Sequence, residues 1–147
     1  MIFLRLLAVG LMALILIPSG AHLFELPQKI TLDRESYFIV QGIYAGWALF
    51  GAPIIAAILV NVWLYFAERR RHSATAHWAL IAAALTAISL GVFFMWILPG
   101  NQATANWTTQ PENWESLRRN WEYGHVANAI IVAFGLMATA LAIVKRS

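Results

Sequence analysis

The chain of 147 residues contains no cysteine, and only 12% of its residues are charged. The absence of cysteine excludes disulfide bonds and thiolate metal sites, and it leaves the redox compartment open. An ordinary soluble domain carries about 25% charged residues, so half that fraction beside 61% hydrophobic residues argues against a soluble class. The apolar residues also stand in long blocks, which predicts an integral membrane protein forming one domain over residues 1–147.

The few charges are biased towards basic residues, with a formal net charge of +3 and a pI of about 9.7. These basic residues stand at the ends of the apolar blocks and form no separate basic face, so nucleic acid is not an expected partner. The expected partner is the lipid bilayer, and the charges then indicate how the chain is oriented in it.

Four apolar blocks are long enough to cross the hydrocarbon core, which takes about 20 helical residues. The predicted transmembrane helices cover approximately residues 2–26, 38–67, 76–98 and 121–144. Pro18 is expected to kink the first helix, and Pro53 is one place where the overlong second helix can bend.

The first block also has features of a secretory signal peptide. Arg5 precedes an apolar run, and the small residues Ser19 and Ala21 follow it. Apolar residues resume at Leu23 and Phe24, which is not typical of a cleavage site. We therefore expect a retained first helix.

Four spans would place both termini on one side of the membrane. That side carries six basic residues and one acid, Glu68, whereas the other side carries four basic residues among six acids. The positive-inside rule places the termini in the cytoplasm and the loops 27–37 and 99–120 in the periplasm or outside the cell. The predicted fold is an all-α, antiparallel four-helix bundle in the cell (inner) membrane, with both termini cytoplasmic.

Most polar residues in or near the spans fall at the predicted outer end of this bundle. Arg118, Glu122 and His125 share one face of the fourth helix at 100° per residue. His125 lies about 6 Å below Trp121 at a rise of 1.5 Å per residue. The other candidate residues at this depth are His22, Glu25, Gln41, Tyr44, Asn101 and Trp114.

Two interpretations of this cluster compete. In one, the groups only stabilise the bundle, with Glu122 paired to Arg118 and the tryptophans forming an interfacial belt. In the other, they form a metal-free pocket for a flat, membrane-soluble ligand. His22 and His125 are then the titrating groups, Glu25 and Glu122 orient them, and Arg118 holds an oxyanion.

Metal-binding versions of the site are further alternatives. Glu122 and His125 form an E-x-x-H pair, and His22 and Glu25 form its reverse. Residues at this spacing share a helix face, so the four side chains are candidates for a mononuclear zinc, iron or manganese site. Haem ligation by His22 and His125 is another alternative. Neither version is favoured by the short motifs, so no cofactor is predicted.

One glycine motif bears on assembly. Gly42 and Gly46 form a G-x-x-x-G, the spacing at which membrane helices approach closely. The motif is consistent with packing inside the bundle, with a homo-oligomer, or with a subunit of a larger membrane complex.

A longer pattern covers the start of the fourth helix. Trp114, Arg118, Trp121 and His125 read W-x-x-x-R-x-x-W-x-x-x-H. Three shorter segments accompany it: Glu25-Leu-Pro27, Gln41 through Gly46 with Trp47, and Pro99-Gly-Asn101. On these residues the chain resembles the anthrone oxygenase-like family of small four-helix membrane proteins, many of which are catalogued only as a domain of unknown function.

The resemblance implies an activity known for a few family members, the oxidation of anthrones to anthraquinones by molecular oxygen without a known metal or organic cofactor. Carried onto this chain, it makes His125 the leading base and Arg118 an oxyanion partner. The enzyme hypothesis adds Glu122 and His22 to the catalytic set. It assigns contacts with an aromatic or quinone-like substrate to Trp121, Glu25, Gln41, Tyr44, Asn101 and Trp114. The competing hypothesis is a non-enzymatic structural or accessory membrane subunit, in which the same cluster stabilises the bundle or binds a partner.

Overall fold

The computed structural model describes residues 1–70 and 73–144, and this part of the chain is all-helical. Its α-helices are α1 (Ile2–Lys29), α2 (Arg34–Gln41), α3 (Gly51–Glu68), α4 (Ser73–Val92), α5 (Leu98–Ala103) and α6 (Trp114–Val144). Four helical segments are long and apolar enough to span a membrane: Ile2–Lys29, Trp47–Glu68, Thr75–Ala103 and Trp114–Val144. Arg71, Lys145 and Arg146, on which the predicted orientation partly depends, lie outside the described residues.

The four spans form a bundle in which α1 and α4 each pack against α3 and α6. The outer surface of this bundle is apolar. Phe3, Ile17 and Leu59 are 75%, 70% and 63% exposed, and many other large apolar side chains are similarly uncovered. An apolar surface of this extent requires a lipid environment, as expected for a multi-pass membrane protein.

The first span is longer than predicted, because α1 passes through Pro18 and Pro27 and ends at Lys29. Proline removes one backbone donor from a helix, but a long helix packed on its neighbours retains its remaining hydrogen bonds. The extension has a consequence for the site. It places Lys29 seven residues beyond His22, and therefore on the same face of α1.

The second span is shorter than predicted, and the prediction of a continuous helix from residue 38 was wrong. Helix α2 ends at Gln41, and the chain turns at Gly46, whose φ of +84° is a conformation that favours glycine. Short 3₁₀ turns flank it at Gly42–Tyr44 and Trp47–Phe50. Pro53 lies in the first turn of α3, where the missing N–H has no intrahelical partner to lose, so the break occurs at Gly46.

This break also affects the glycine motif. Gly42 lies in a 3₁₀ turn and Gly46 follows it in a left-handed conformation, so the two do not form one face of an α-helix. Assembly through Gly42 and Gly46 therefore lacks the helical geometry on which such contacts depend.

The third span continues past Pro99, where the sequence predicts an end. A π-helical turn, Phe93–Ile97, precedes the proline, and helix α5 follows it to Ala103. A wider turn accommodates the missing N–H and the bulk of the ring, because the normal hydrogen-bond register is already interrupted there. Asn101 is consequently held on the helical rod, beside α6.

The last span begins at Trp114, seven residues before the predicted start. The loop that precedes it turns tightly through Ala105, Asn106 and Trp107, which have positive φ values of 48°, 58° and 64°. The hydroxyl of Thr104 accepts the backbone N–H of Trp107 at 2.9 Å and supports this strained turn. The loop 104–113 and helix α2 together lie at one end of the bundle, which we call the α2 end.

Buried polar contacts also join the spans away from this end. Arg5 Nε donates to Glu68 Oε1 at 2.6 Å, linking α1 to α3. Thr139 Oγ1 donates to Asn61 Oδ1 at 2.9 Å, linking α6 to α3. Such contacts satisfy polar groups that hydrocarbon would leave unpaired, and they help to set the register of the helices.

Candidate active site at the α2 end of the bundle

Two histidines meet between α1 and α6. The rings of His22 and His125 are stacked, with centroids 3.8 Å apart and planes inclined by 29°. The Trp121 ring lies 4.2 Å from His125 and 5.0 Å from His22, centroid to centroid. Tyr44 and Trp47 close the other side of His22 at 4.6 Å and 5.5 Å. The result is an aromatic enclosure around two imidazoles.

A buried ion pair lies beside the histidines. Lys29 Nζ stands 3.0 Å from Glu122 Oε1, and the side chain of Glu122 is completely buried. The ammonium group also lies 4.3 Å and 4.7 Å from the ring centroids of Tyr44 and Trp121, which is cation–π geometry. Lys29 is thus the cation that pairs with Glu122, whereas the sequence suggested Arg118.

Hydrogen bonds extend this ion pair into α2. The hydroxyl of Tyr37 donates to Glu122 Oε1 at 2.9 Å, and Gln41 Nε2 donates to the Tyr37 oxygen at 2.5 Å. Tyr37 and Gln41 are one helical turn apart on α2, so both face inward towards α6. This branch ends inside the protein, because both side chains are buried.

A second branch leads from the ion pair towards the surface. Lys29 Nζ donates to the Tyr44 hydroxyl at 2.7 Å, and the Tyr44 hydroxyl donates to Glu25 Oε2. The Glu25 side chain is 34% exposed. The branch therefore joins a fully buried carboxylate to a partly exposed one.

Both phenols in these branches remain protonated. Burial raises the pKa of Tyr37 far above its usual value, and the neighbouring Glu122 carboxylate raises it further. Burial likewise raises the pKa of Tyr44, with a second contribution from its hydrogen bond to Glu25. Each phenol is thus available as a proton-bearing donor to a carboxylate.

Arg118 and Trp114 lie outside this hydrogen-bonded network, next to the turn between α1 and α2. Arg118 Nη1 donates to the backbone carbonyl of Leu32 at 2.7 Å, and its guanidinium lies 4.5 Å from the Trp114 ring. The same guanidinium lies 5.4 Å from the Tyr37 ring. These contacts tie α6 to the turn between α1 and α2, which covers the cluster.

Asn101 holds two tryptophans. Its Oδ1 accepts from Trp107 Nε1 at 3.1 Å and from Trp121 Nε1 at 2.8 Å. Buried indole N–H groups require such a partner. Asn101 therefore positions Trp121, whose ring contacts both histidines.

The geometry does not favour the metal alternatives. Among residues 1–70 and 73–144, no group of three or more metal-ligating side chains is arranged to hold an ion. The faces of His22 and His125 are in contact, whereas ligands on opposite sides of a haem iron approach it through nitrogen atoms at the ring edge. Of these candidate ligands, His22 and His125 stack on each other, whereas Glu25 and Glu122 accept hydrogen bonds from tyrosines.

Several buried polar atoms of the cluster have no hydrogen-bond partner in the described part of the chain. They are His22 Nδ1, Gln41 Oε1, Glu122 Oε2 and Arg118 Nε, together with Asn128 Oδ1, which lies about one turn from His125 on α6. An unpaired buried polar group costs about 1–3 kcal/mol. Three of these five atoms are oxygens that only accept, and Arg118 Nε only donates, so the cluster is suited to a ligand or water that both donates and accepts hydrogen bonds.

An apolar groove runs between α1 and α6 on the lipid-facing side. Its volume is about 610 Å³, within the usual size range of small-molecule sites. Ala129, which lies one helical turn from His125, is part of its wall. The other lining residues are Ala13, Leu16, Ile17, Gly20, Ala21, Leu23, Phe24, Ile130, Ala133, Phe134, Leu136 and Met137.

Two members of the cluster, Lys29 and Tyr37, were not predicted from the sequence, and Trp47 was named only through the family resemblance. Lys29 carries a usable signal, since it stands four residues after Glu25 and seven after His22, on one helix face. Tyr37 carries none, because its contact with Glu122 depends on how α2 packs against the bundle.

Comparison of the chain with protein-family models, with curated proteins and with solved structures finds no match.

Proposed function

We propose that this chain is a small membrane enzyme that oxidises a flat, lipid-soluble aromatic compound at the α2 end of its bundle. In this proposal the spans are antiparallel, the termini are cytoplasmic, and the α2 end with its loops faces the periplasm or exterior of the cell (inner) membrane. The excess of basic residues near the termini supports this orientation. The resemblance to the anthrone oxygenase-like family supports the class of reaction.

The observation that carries the proposal is the stacked pair His22–His125 in an aromatic enclosure. His22 is 4% exposed, and its Nδ1 has no hydrogen-bond partner among residues 1–70 and 73–144. Histidine at membrane depth is rare, and by default it marks a functional site. An imidazole nitrogen without a partner is able to accept a proton from a bound substrate.

The reaction consistent with this site begins with proton abstraction. His125, with His22 against it, removes a proton from the CH₂ group of an anthrone-like ring, and the carbanion then reacts with molecular oxygen. In the overall balance the CH₂ group and O₂ become a ketone and water. Glu122, paired with Lys29, lies beside the histidines, and Trp121 forms a flat apolar wall of the substrate site.

The apolar groove between α1 and α6 is the proposed route of the substrate from the bilayer. Its wall ends one turn from His125, and it contains no charged residue. A compound dissolved in lipid would thus reach the cluster without crossing water. Glu25, Gln41, Tyr44, Asn101 and Trp114 retain their proposed role around the substrate. Arg118 donates to the Leu32 carbonyl through Nη1, and its Nε, which has no partner among the described residues, is available to hold an oxyanion.

The test is oxygen uptake by the purified full-length protein in nanodiscs supplied with a hydroxylated anthrone. His125→Ala is expected to lower the rate by roughly 100-fold or more, the usual contribution of a positioned base. The control is His77→Ala, which removes an exposed histidine from α4 near the opposite end of the bundle. Equal rates for the wild type and His125→Ala would remove the base assignment, and no uptake by the wild type would remove the activity.

The second candidate function is a structural or accessory membrane subunit, and the bonding of the cluster favours it. Lys29 pairs with Glu122 Oε1, Arg118 donates to a backbone carbonyl, and Asn101 accepts from indole N–H groups. On this hypothesis His125→Ala lowers thermal stability or prevents assembly with a partner. An unchanged melting temperature together with lost turnover would decide for the enzyme.

A further inference from the structure

We propose that Tyr44 and Glu25 form the route by which protons pass between water and the buried pair Lys29–Glu122. Use of the route in turnover depends on the proposed function, since an enzyme that removes a proton from a lipid-soluble substrate must deliver it to water. The route itself is a property of the hydrogen-bonded chain and is testable without a substrate.

The two ends of the chain differ sharply in exposure. Glu122 is completely buried, whereas the side chain of Glu25 is 34% exposed. Gln28, one turn beyond Glu25 on α1, is exposed as well. The carboxylate of Glu25 therefore stands where the apolar part of α1 ends and polar side chains begin.

Each link between these carboxylates is in place. Glu122 Oε1 lies 3.0 Å from Lys29 Nζ, and Lys29 Nζ donates to the Tyr44 hydroxyl at 2.7 Å. The Tyr44 hydroxyl in turn donates to Glu25 Oε2. Lys29 and Glu25 themselves stand 4.0 Å apart, beyond hydrogen-bond distance, so the tyrosine is the connecting group.

Transfer along this chain conserves protons and charge. A proton leaves the Lys29 ammonium for the Tyr44 oxygen, while the hydroxyl proton of Tyr44 passes to the Glu25 carboxylate. The neutral Lys29 amine then takes a proton from Glu122 in its acid form, and Glu25 releases its proton to water. The net result is movement of one proton from Glu122 to water, with no change of redox state.

The branch through α2 does not offer an equivalent exit. Tyr37 and Gln41 are both buried, and Gln41 Oε1 has no partner among the described residues. An amide also cannot pass on a proton as a carboxylate does. Protons are therefore directed through Tyr44, although Tyr37 contacts the same Glu122 oxygen.

The charged and titratable groups that act on Lys29 come from every element packed around it. They are Glu25 and His22 on α1, Tyr37 on α2, Tyr44 in the 3₁₀ turn, and Glu122 and His125 on α6. Within this set, Glu25 and Tyr44 are the groups that link Lys29 to a partly exposed carboxylate.

The composition of the chain makes the route measurable, because it contains two lysines, Lys29 and Lys145. Lysine-selective ¹⁵N labelling of a Lys145→Arg background leaves one side-chain ammonium signal, that of Lys29. The measurement is the exchange rate of its ammonium hydrogens with water in the folded, full-length protein in nanodiscs.

Tyr44→Phe is expected to slow this exchange by roughly tenfold, since water must then reach Lys29 by opening a buried hydrogen bond. Glu25→Gln, which removes the terminal proton acceptor and keeps the shape, is expected to slow it similarly. Tyr123→Phe is the control, because Tyr123 is an exposed tyrosine of α6.

Unchanged or faster exchange in both Tyr44→Phe and Glu25→Gln would overturn the route and indicate that Tyr44 only covers the site. If Tyr44→Phe does not fold, Glu25→Gln alone decides. Oxygen uptake is recorded on the same samples. Absence of uptake in the wild type with slowed exchange in the variants would sink the proposed function and leave the route standing.

Discussion

Replacement of Lys29 by methionine tests whether the buried ion pair stabilises the bundle. Methionine has an apolar chain of similar length and fills irregular space well, so the main change is the loss of the ammonium group. Glu122, which is completely buried, would then face the interior with one remaining hydrogen-bond donor, Tyr37. Leaving one member of a buried pair uncompensated typically costs about 3–5 kcal/mol.

The double variant Lys29→Met/Glu122→Gln separates this penalty from the net value of the pair. It removes both charges and retains a side chain able to accept from Tyr37. Replacing both members of a buried pair is often close to neutral, so the double variant should be more stable than Lys29→Met alone. Residues in direct contact couple by about 0.5–3 kcal/mol, and the 3.0 Å contact places this pair towards the upper end.

The assay is equilibrium unfolding of the purified chain in mixed detergent–lipid micelles, followed by tryptophan fluorescence. Arg119→Met is the matched control, because it removes a basic group that is exposed on α6. Its effect should stay within about 0.5 kcal/mol, as for most surface substitutions. Glu122→Gln is measured as the second single variant. A buried, coupled pair is refuted if Lys29→Met is no more destabilising than Arg119→Met, or if the double variant loses as much stability as Lys29→Met and Glu122→Gln lose together.

Three further predictions concern the surroundings of the site. Gly124→Ala should destabilise by about 1–3 kcal/mol, because a Cβ there would lie 3.0 Å from Ile97 Cγ1. Gly20→Ala has nothing within 4 Å and should be neutral to slightly stabilising in the same unfolding assay, since alanine favours a helix interior more than glycine does. Equal effects of the two substitutions would refute the packing explanation. Asn101→Ala should lower the free energy of unfolding by about 2–4 kcal/mol, because two indole N–H groups lose their acceptor. Gln102→Ala, on the exposed side of the same turn, should leave the free energy of unfolding unchanged. A loss below about 0.5 kcal/mol for Asn101→Ala would contradict the role of Asn101 as this acceptor. Hydrogen bonds from the backbone and hydroxyl of Ser36 lower the pKa of Asp33, so its cap on α2 is fully present above the usual pKa of aspartate and is lost as the pH falls through the lowered value. Below the lowered pKa of Asp33, the α2 amides should therefore exchange faster, relative to their intrinsic rates, in the wild type but not in Asp33→Asn. Identical pH profiles for the two proteins would refute the role of Asp33 as a cap.

The membrane class and the number of spans follow from local properties of the sequence. An apolar run of about 20 residues must satisfy its backbone internally in lipid, and a helix does so without reference to the rest of the chain. The residues at which the helices end near the α2 end of the bundle were harder to predict from the sequence. Pro99 reads as a helix stop, but the π-helical turn Phe93–Ile97 carries the span on to Ala103.

The block from residue 38 shows why apolarity alone does not define a helix. Hydropathy reports that a segment avoids water, and it is the same for a transmembrane helix and for a segment folded over buried side chains. Gly46, with its positive φ, turns the chain so that Tyr44 and Trp47 close over His22. The glycine spacing suggested a packing face, whereas its role in the structure is to make this turn.

By itself, the sequence determined that four helices cross a membrane and that His22, Glu122 and His125 come from the same end of two of them, because helical rise and periodicity fix depth and face. Only the tertiary structure decided the partners. Arg118 is within reach of Glu122 because it lies one turn away on the same helix. Lys29 reaches the same carboxylate because α1 continues to Lys29, and α2 presents Tyr37 to it as well. Which groups pair in a buried cluster depends on all the groups that several elements bring together. No single stretch of sequence therefore determines the pairing.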